Sequence, residues 1–266
     1  MQFKMDSQFV IVTTRTGALS IRNKANGEIM HNPLGPWLEA QELYIRQSGL
    51  EERLCNENFS KVPLVIYDVG LGAAANALAA VDTYLKLKMT NENIRPLHIV
   101  SFENDLSLMS FALENSYHFP HIERYQDYLQ TLVTSGKVHD IQNSLVWDLQ
   151  LGHFPDLIKN PLPPAEVIFY DLYSPQSNTE VWTQDVFRDL RKNCVHEPNS
   201  AVLLTYSRST TIRLNMLKSG FYVGTADIPS IRMEGTQAAT IPHALNKPLA
   251  PQWFDNRGLK SPELTM

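Results

Sequence analysis

Cysteine is scarce in this chain. Cys55 and Cys194 are the only two in 266 residues; they lie far apart and outside any Cys-x-x-Cys pattern. That speaks against a disulfide framework or a zinc knuckle and for a reducing compartment. No run approaches the roughly 18 apolar residues needed to span a bilayer. The N-terminus has no basic stretch followed by a long apolar one, so neither a membrane span nor a signal peptide is expected, and the default is cytoplasmic. A basic excess is missing too: 23 Lys and Arg against 28 Asp and Glu give a net charge of −5, with no global attraction to nucleic acid. His118, His121, His139 and His153 show no metal-ligand spacing with acids or cysteines, so no metal is expected. Without a Gly-x-Ser-x-Gly elbow, hydrolase chemistry has no nucleophile.

What is present suits a soluble globular protein, with 43% hydrophobic and 19% charged residues in a length that fits one α/β domain with additions. Phe9–Thr13 and Ala18–Arg22 flank Thr14-Arg15-Thr16-Gly17, a β-hairpin pattern. Asn23 to Pro36 reads as loop, with Pro33 a turn marker, and Trp37–Leu54 carries apolar residues at helical spacing. From Leu64 strands and helices alternate: strand Leu64–Asp68, helix Ala73–Leu87, strand Leu97–Glu103, helix Leu106–Asn115. A helical stretch Ile122–Thr134 and a weak strand Ser144–Trp147 follow. Then come strand Val167–Leu172, helix Trp182–Asn193, strand Ala201–Tyr206, helix Thr210–Lys218, and a last strand beginning at Gly220. The near-continuously apolar strands fit burial on both faces of a parallel sheet. The expected fold is therefore α/β and doubly wound, with ligands at the carboxyl ends of the strands. It divides into an N-terminal hairpin and helix (1–60), a core (61–234) and an irregular tail (235–266).

Chemistry concentrates after the first core strand, in Asp68-Val69-Gly70-Leu71-Gly72-Ala73-Ala74-Ala75-Asn76. An acid, a glycine turn and small residues opening a helix let a cofactor's charged end lie on bare backbone. Asp68 repels a pyrophosphate and suits a cationic or zwitterionic ligand such as the methionine end of S-adenosylmethionine. The third glycine of a dinucleotide fingerprint is absent. Glu103 ends the next strand, where a carboxylate accepts from both ribose hydroxyls. Asp148 is a candidate acceptor for an adenine amino group. Asp171, followed by Ser174-Pro175, ends the strand facing the crevice, where a carboxylate holds a substrate amine for in-line methyl transfer. Tyr170 and Tyr173 are candidate aromatic walls. Basic candidates for a nucleic-acid substrate are Arg208 and Arg213, then Arg188, Arg191 and Lys192, then Lys247, Arg257 and Lys260. For each of these, a solvated surface group is the plainer reading.

Tyr170-Asp171-Leu172-Tyr173-Ser174-Pro175-Gln176-Ser177-Asn178-Thr179-Glu180-Val181-Trp182-Thr183 resembles the Asp-Gly-Phe-Ala-Pro…Asn-Pro-x-Met-Trp-Thr segment of the MnmC-like methyltransferases. These form the methyltransferase part of a bifunctional tRNA wobble-uridine modification enzyme, and its stand-alone relatives. The glycine turn resembles their Glu-x-Gly-Phe-Gly-x-Gly-x-Asn motif, and Ser101-Phe102-Glu103 their Ser-Phe-Glu. Gly27-Glu28-Ile29-Met30-His31 looks like their Gly-Glu-x-Tyr-His, with Glu39-Ala40 following in register. The resemblance runs from about Ser20 to Val223. It implies a class I methyltransferase (Rossmann-like) fold, S-adenosylmethionine as cofactor, and N-methylation of an aminomethyl group on the tRNA wobble uridine. On that basis Gly70, Gly72 and Glu103 bind the cofactor, Asp68 neighbours its amine, Asp148 falls near the adenine-contacting acid, and Asp171 sits at the transfer site. Departures are Asp68 for Glu, Ala74 for the motif's last glycine, Leu172-Tyr173-Ser174 for Gly-Phe-Ala, and no Arg/Lys-rich stretch after the last strand. Two further readings stay open: a nicotinamide-dependent oxidoreductase on a similar sheet, and a cofactor-binding protein without turnover.

Overall fold

The structure is a computed structural model, and it describes residues 7–14, 16–29, 35–174, 177–197, 199–229 and 233–258. His31, Pro33, Pro175 and Lys260, all singled out in the sequence, lie outside the described residues. An eight-stranded sheet is built from β3 (Leu64–Val69), β4 (Leu97–Glu103), β5 (Lys137–Asp140), β6 (Leu145–Leu151), β7 (Val167–Tyr170), β8 (Val202–Thr205), β9 (Tyr222–Ile228) and β10 (Met233–Ala239). Their order is β5-β6-β4-β3-β7-β8-β10-β9. The run β6-β4-β3-β7-β8 is parallel, while β5 is antiparallel to β6, and β10 is antiparallel to both β8 and β9. Winding reverses between β3 and β7, so the crevice opens at their carboxyl ends.

Alternation along β3 explains why that strand is apolar throughout. Leu64 and Ile66 enter the core on one face of the sheet, and Val65, Tyr67 and Val69 the core on the other. Helices Ala75–Thr90 and Ser107–Glu114 pack on the first face, and helix Gln184–Lys192 on the second. The N-terminal hairpin, β1 (Phe9–Thr13) with β2 (Leu19–Asn23), is antiparallel. It sits against helix Ser107–Glu114: Phe9 is buried with its ring 5.8 Å from that of Phe111, and Gln8 Nε2 donates to Ser107 Oγ at 2.9 Å. Burying a phenylalanine this way contributes about 1.5–3 kcal/mol.

Three sequence expectations change. The helix expected over Trp37–Leu54 is interrupted: Pro36–Glu39 leads into a π-helical turn, Ala40–Ile45, and Gly49 at φ 63° separates Arg46–Ser48 from Leu50–Leu54. β5 was not anticipated, and β6 runs on to Leu151 rather than stopping at Trp147. The segment from Gly235, expected to be irregular, instead fills a strand position inside the sheet. Its periodicity is hidden because its buried residues are small or polar. Thr236 and Gln237 are buried yet satisfied, through Arg213 Nε to Thr236 Oγ1 (2.9 Å) and Asn246 N to Gln237 Oε1 (2.8 Å). Gly235 is required there, since a Cβ would stand 2.7 Å from the Thr205 carbonyl. Among the described residues no helix is long and apolar enough to cross a membrane.

Candidate active site

A cavity of about 640 Å³ occupies the crevice, within the size range of cofactor and small-molecule sites. The glycine turn, the ends of β4, β6 and β7, and the N-terminal hairpin with Glu28 all contribute walls. The chain leaves β3 through a tight turn: Gly70 N and Leu71 N both donate to Phe102 O, at 3.0 and 3.2 Å. Gly70 (φ 94°) is needed by the protein itself, because a Cβ there would lie 2.6 Å from the Asp171 carbonyl oxygen. At Gly72 (φ 54°) a Cβ would meet nothing nearer than Leu108 Cδ2 at 3.7 Å, so this is the glycine that leaves wall space free. Ala74, standing where the resembled motif has glycine, adopts φ 61° at the start of helix Ala75–Thr90.

Glu103 lies on the cavity wall and is held by three backbone donors: Gly72 N to Oε2 (2.9 Å), and Asn104 N (2.8 Å) and Asp105 N (3.3 Å) to Oε1. Burial raises its pKa, and these N–H groups oppose the rise. Asp171 also lines the cavity, and Asn76 Nδ2 donates to its Oδ2 at 2.7 Å. That bond fixes the amide's orientation, since a carboxylate only accepts. Asn76 Oδ1 is left buried without a hydrogen-bond partner.

Asp68 is not on the cavity wall. Its carboxylate is buried on the Leu64/Ile66 side of β3, accepting from Ser101 Oγ at 2.7 Å while that hydroxyl accepts from Trp147 Nε1 at 2.8 Å. Desolvation pushes its pKa up to about 7, with Asp171 and Glu103 adding to the rise and Ser101 opposing it. Any effect of Asp68 on a ligand's amine is exerted through the turn rather than by contact.

Asp148 is not brought to the site at all. It lies three residues before the end of β6, paired with His98 Nε2 (2.7 Å) and Lys137 Nζ (3.0 Å). The strand's actual end delivers Gly152, His153 and Phe154 to the cavity. The alternation Leu145, Trp147, Leu149, Leu151 was the signal that would have found them. His153 joins two walls, with Nδ1 to Asp156 (3.0 Å) and Nε2 to Glu180 (3.2 Å), and these acids raise its pKa.

Of the two tyrosines, Tyr173 lines the cavity, whereas Tyr170 is core, its hydroxyl donating to the Val181 carbonyl. The Asn178–Thr183 segment holds the loop after β7 in place. Trp182 Nε1 donates to Tyr173 O (3.1 Å), and Thr183 caps helix Gln184–Lys192. Glu28 reaches across from the N-terminal segment, accepting from Ser174 Oγ (2.9 Å) and Ser177 Oγ. Among the described lining residues the acids Glu28, Glu39, Glu103, Asp105, Asp171 and Glu180 face one histidine and no lysine or arginine. Such a lining suits a cationic ligand. No His/Cys/Asp/Glu group suited to a metal occurs among the described residues.

The basic candidates are mostly engaged elsewhere. Arg213 is buried, its Nη2 on Glu234 at 2.7 Å and on Gly235 O at 3.1 Å. Arg188 pairs with Asp185, Lys192 with Asp189 and Lys247 with Asp227, while Arg191 and Arg257 stack on Phe221 and Trp253. Arg208 remains exposed just beyond β8.

Residues 118–240 match the model of a family of S-adenosyl-L-methionine-dependent methyltransferases. The tRNA 5-methylaminomethyl-2-thiouridine biosynthesis bifunctional protein MnmC of Aeromonas salmonicida is 25% identical over 193 residues, covering 69% of this chain and 28% of that protein. Its counterpart from Leptospira borgpetersenii is 26% identical over 207 residues, covering 73% and 29%. The chain thus spans under a third of the length of these relatives. The crystal structure of MNMC2 from Aquifex aeolicus superposes with a TM-score of 0.73 at 22% identity, covering 96% of this chain and 77% of that one. The class I methyltransferase fold and the MnmC-like resemblance read from the sequence are both borne out. The oxidoreductase alternative finds no support.

Proposed function

We propose that the chain is an S-adenosylmethionine-dependent methyltransferase similar to the MnmC-like enzymes, and that it methylates an amine, the aminomethyl group of a modified wobble uridine in tRNA, in the cytoplasm. The observation that carries the amine is Asp171: a carboxylate at the carboxyl end of β7, on the cavity wall, tied to Asn76 in the first turn after the glycine loop. The tRNA acceptor draws on the relatives' names and not on a basic rim, since Arg213 is committed to Glu234.

The residues present fit the cofactor. Three observations support this: Glu103 lies on the cavity wall with a carboxylate that can accept from ribose hydroxyls, Gly72 leaves its backbone open to approach, and Oδ1 of Asn76 is buried without a hydrogen-bond partner. When bound, S-adenosylmethionine supplies a sulfonium methyl group that an amine nitrogen can take, the C–S electron pair leaving on sulfur. Asp171 attracts the acceptor as an ammonium, takes up one of its protons so that the nitrogen lone pair is freed, and passes that proton to solvent. The walls joined by Glu28 to Ser174 and by His153 to Glu180 hold this geometry, so that orientation rather than covalent catalysis lowers the barrier.

The test is incubation of the purified chain with labelled S-adenosylmethionine and tRNA bearing the unmethylated aminomethyl uridine, followed by nucleoside mass spectrometry. A labelled methylaminomethyl uridine is expected. Label absent from tRNA but present in small amines would replace the acceptor, and no label in any pool would leave a cofactor-binding protein without turnover.

A further inference from the structure

Most of the described Lys and Arg side chains already have an acid, a carbonyl or another group as partner. Among the described residues, those without one are Arg22, Lys61, Lys88, Arg208 and Lys218. Their placement is uneven. Lys61 precedes the amino end of β3. Lys88 stands in the last turn of helix Ala75–Thr90, which starts beyond the carboxyl end of β3 and runs back over 16 residues, roughly 24 Å. Lys218 ends helix Thr210–Lys218, which runs back from the carboxyl end of β8. The lysines therefore lie at the pole away from the crevice.

The arginines lie at the crevice. Arg22, in β2, stands directly across from Val10 on one side and from Ile29, a cavity-lining residue, on the other. Residues paired this way share one face of a sheet, and Val10 and Ile29 are 39% and 42% exposed on it. Arg208 is exposed two residues beyond Tyr206, which lines the cavity at the end of β8 and donates its hydroxyl to Leu172 O at 3.0 Å. Arg257 belongs to the same rim. Its Nη2 donates to Thr210 Oγ1 at 3.3 Å and its guanidinium lies 4.2 Å from the Trp253 ring, with no acid paired to it among the described residues.

We infer that Arg22, on the N-terminal wall, and Arg208 with Arg257, at the end of β8, hold the phosphodiester backbone of an RNA at the cavity mouth while one nucleotide enters the acidic interior. This rests on the tRNA acceptor proposed above. Charge is sorted by depth: the lining acids take an ammonium, and the phosphates on either side of the entering nucleotide stay outside with the arginines. Sequence-specific RNA recognition works on unstacked nucleotides splayed out of a loop, and the planar guanidinium fork matches a phosphate bidentately. Val10 and Ile29 offer apolar surface beside Arg22 for a neighbouring sugar or base. A few point contacts of this kind need no basic surface, in keeping with the net charge of −5.

The experiment measures binding of a fluorescein-labelled anticodon stem-loop RNA to the full chain by anisotropy, between about 50 and 200 mM salt. The variants are Arg22→Gln, Arg208→Gln, Arg257→Gln and their combination, with Lys88→Gln as the far-pole control, each checked for folding by thermal denaturation. Each single variant is expected to weaken RNA binding about two- to five-fold and to make the salt slope shallower by about 0.7. The combination should cost about ten-fold or more, with KM for tRNA rising more than kcat falls. S-adenosylmethionine affinity by calorimetry should stay within about two-fold, Arg257→Lys should retain most of the binding, and Lys88→Gln should bind as the wild type does. An unchanged affinity and slope in the combined variant overturns the rim, as does an equal loss in Lys88→Gln, which would mean diffuse attraction. Displacement of the RNA by polyglutamate as readily as by unlabelled RNA overturns it too, in favour of an acidic protein partner. RNA binding that depends on the arginines in a chain that methylates no tRNA sinks the functional reading and leaves the rim; an active chain with indifferent variants sinks the rim alone.

Discussion

Replacing Gly70 by alanine tests whether this glycine serves the cofactor or the loop that carries Asp171. The added Cβ would stand 2.6 Å from Asp171 O, 3.0 Å from Asp171 C and 3.2 Å from Leu172 Cα, at a φ of 94°. All three are backbone atoms, so no side chain can swing away. Asp171 is further tied by its own N–H to Val69 O at 2.9 Å and by Asn76 to its carboxylate. To reach even a 3.0 Å contact the loop must retreat by about 0.4 Å. An L-residue in the left-handed region costs about 1–2 kcal/mol, and overpacking about 1–3 kcal/mol more. A total loss of roughly 2–5 kcal/mol lowers Tm by roughly 4–20 °C for a domain of this size. Misplacement of a positioning carboxylate by a fraction of an ångström to 1 Å is expected to lower kcat by up to about 100-fold. Differential scanning calorimetry without ligand, followed by methyl-transfer kinetics, reads both effects. Gly72→Ala is the control: its Cβ clears Leu108 by 3.7 Å, so only the backbone term of about 1–2 kcal/mol applies to the free protein. A Gly70→Ala chain with wild-type Tm and wild-type kcat would refute the close-approach argument outright.

Ala74→Gly relieves an alanine held at φ 61° and should leave stability unchanged or raise it by about 1 kcal/mol, the strain relief outweighing the added chain entropy; a clear drop in Tm would show that the buried methyl is worth more than the strain. Asp171→Ala is expected to keep S-adenosylmethionine affinity within a few-fold while methyl transfer falls about 100-fold or more, and calorimetry showing lost cofactor binding would move Asp171 to the cofactor. With Arg213 committed to Glu234, tRNA binding should show a shallow salt dependence, about −0.7 per neutralised phosphate. Arg208→Glu should weaken that binding without touching cofactor affinity, whereas Arg213→Glu should lower Tm first.

The parallel core was legible because its signal is simple: β3, β4 and β7 are apolar on both faces, and the glycine turn and Glu103 follow directly from where those strands end. The reading failed where burial is polar. β10 carries buried Thr236 and Gln237, whose hydrogen bonds replace the apolar alternation that marks a strand. Arg213 looked like a rim cation because sequence shows that a residue follows a strand, not which way it faces; Glu234 and Gly235, on a strand not foreseen, turn it inward. A strand ending at Trp147 would put Asp148 at the ligand, and four further residues move the true end to Leu151. Glu39 and Asn76 stood within the resembling segments, but only tertiary structure shows them on one cavity wall with Asp171.

The burial of Asp68 behind the acidic cavity carries a thermodynamic cost that can be measured. Its pKa is raised by desolvation to about 7, against about 3.9 in an unfolded chain. Between those values the folded protein binds more protons than the unfolded one, so stability without ligand falls as pH rises through the window from about 4 to 7 and levels off above it. The slope approaches about 1.4 kcal/mol per pH unit where the folded carboxyl is protonated and the unfolded one is not. Asp68→Asn keeps an acceptor for Ser101 and removes the titration, so its stability should be flatter over that window than the wild type's. Cations entering the cavity favour the ionised carboxylates. S-adenosylmethionine binding near pH 6.5 is therefore expected to release a fraction of a proton, read by calorimetry in buffers of different ionisation enthalpy, and Asp68→Asn should release less. Parallel pH–stability curves for the two proteins, with identical proton release, would show that Asp68 does not titrate there and that its buried charge is stabilised by some other means.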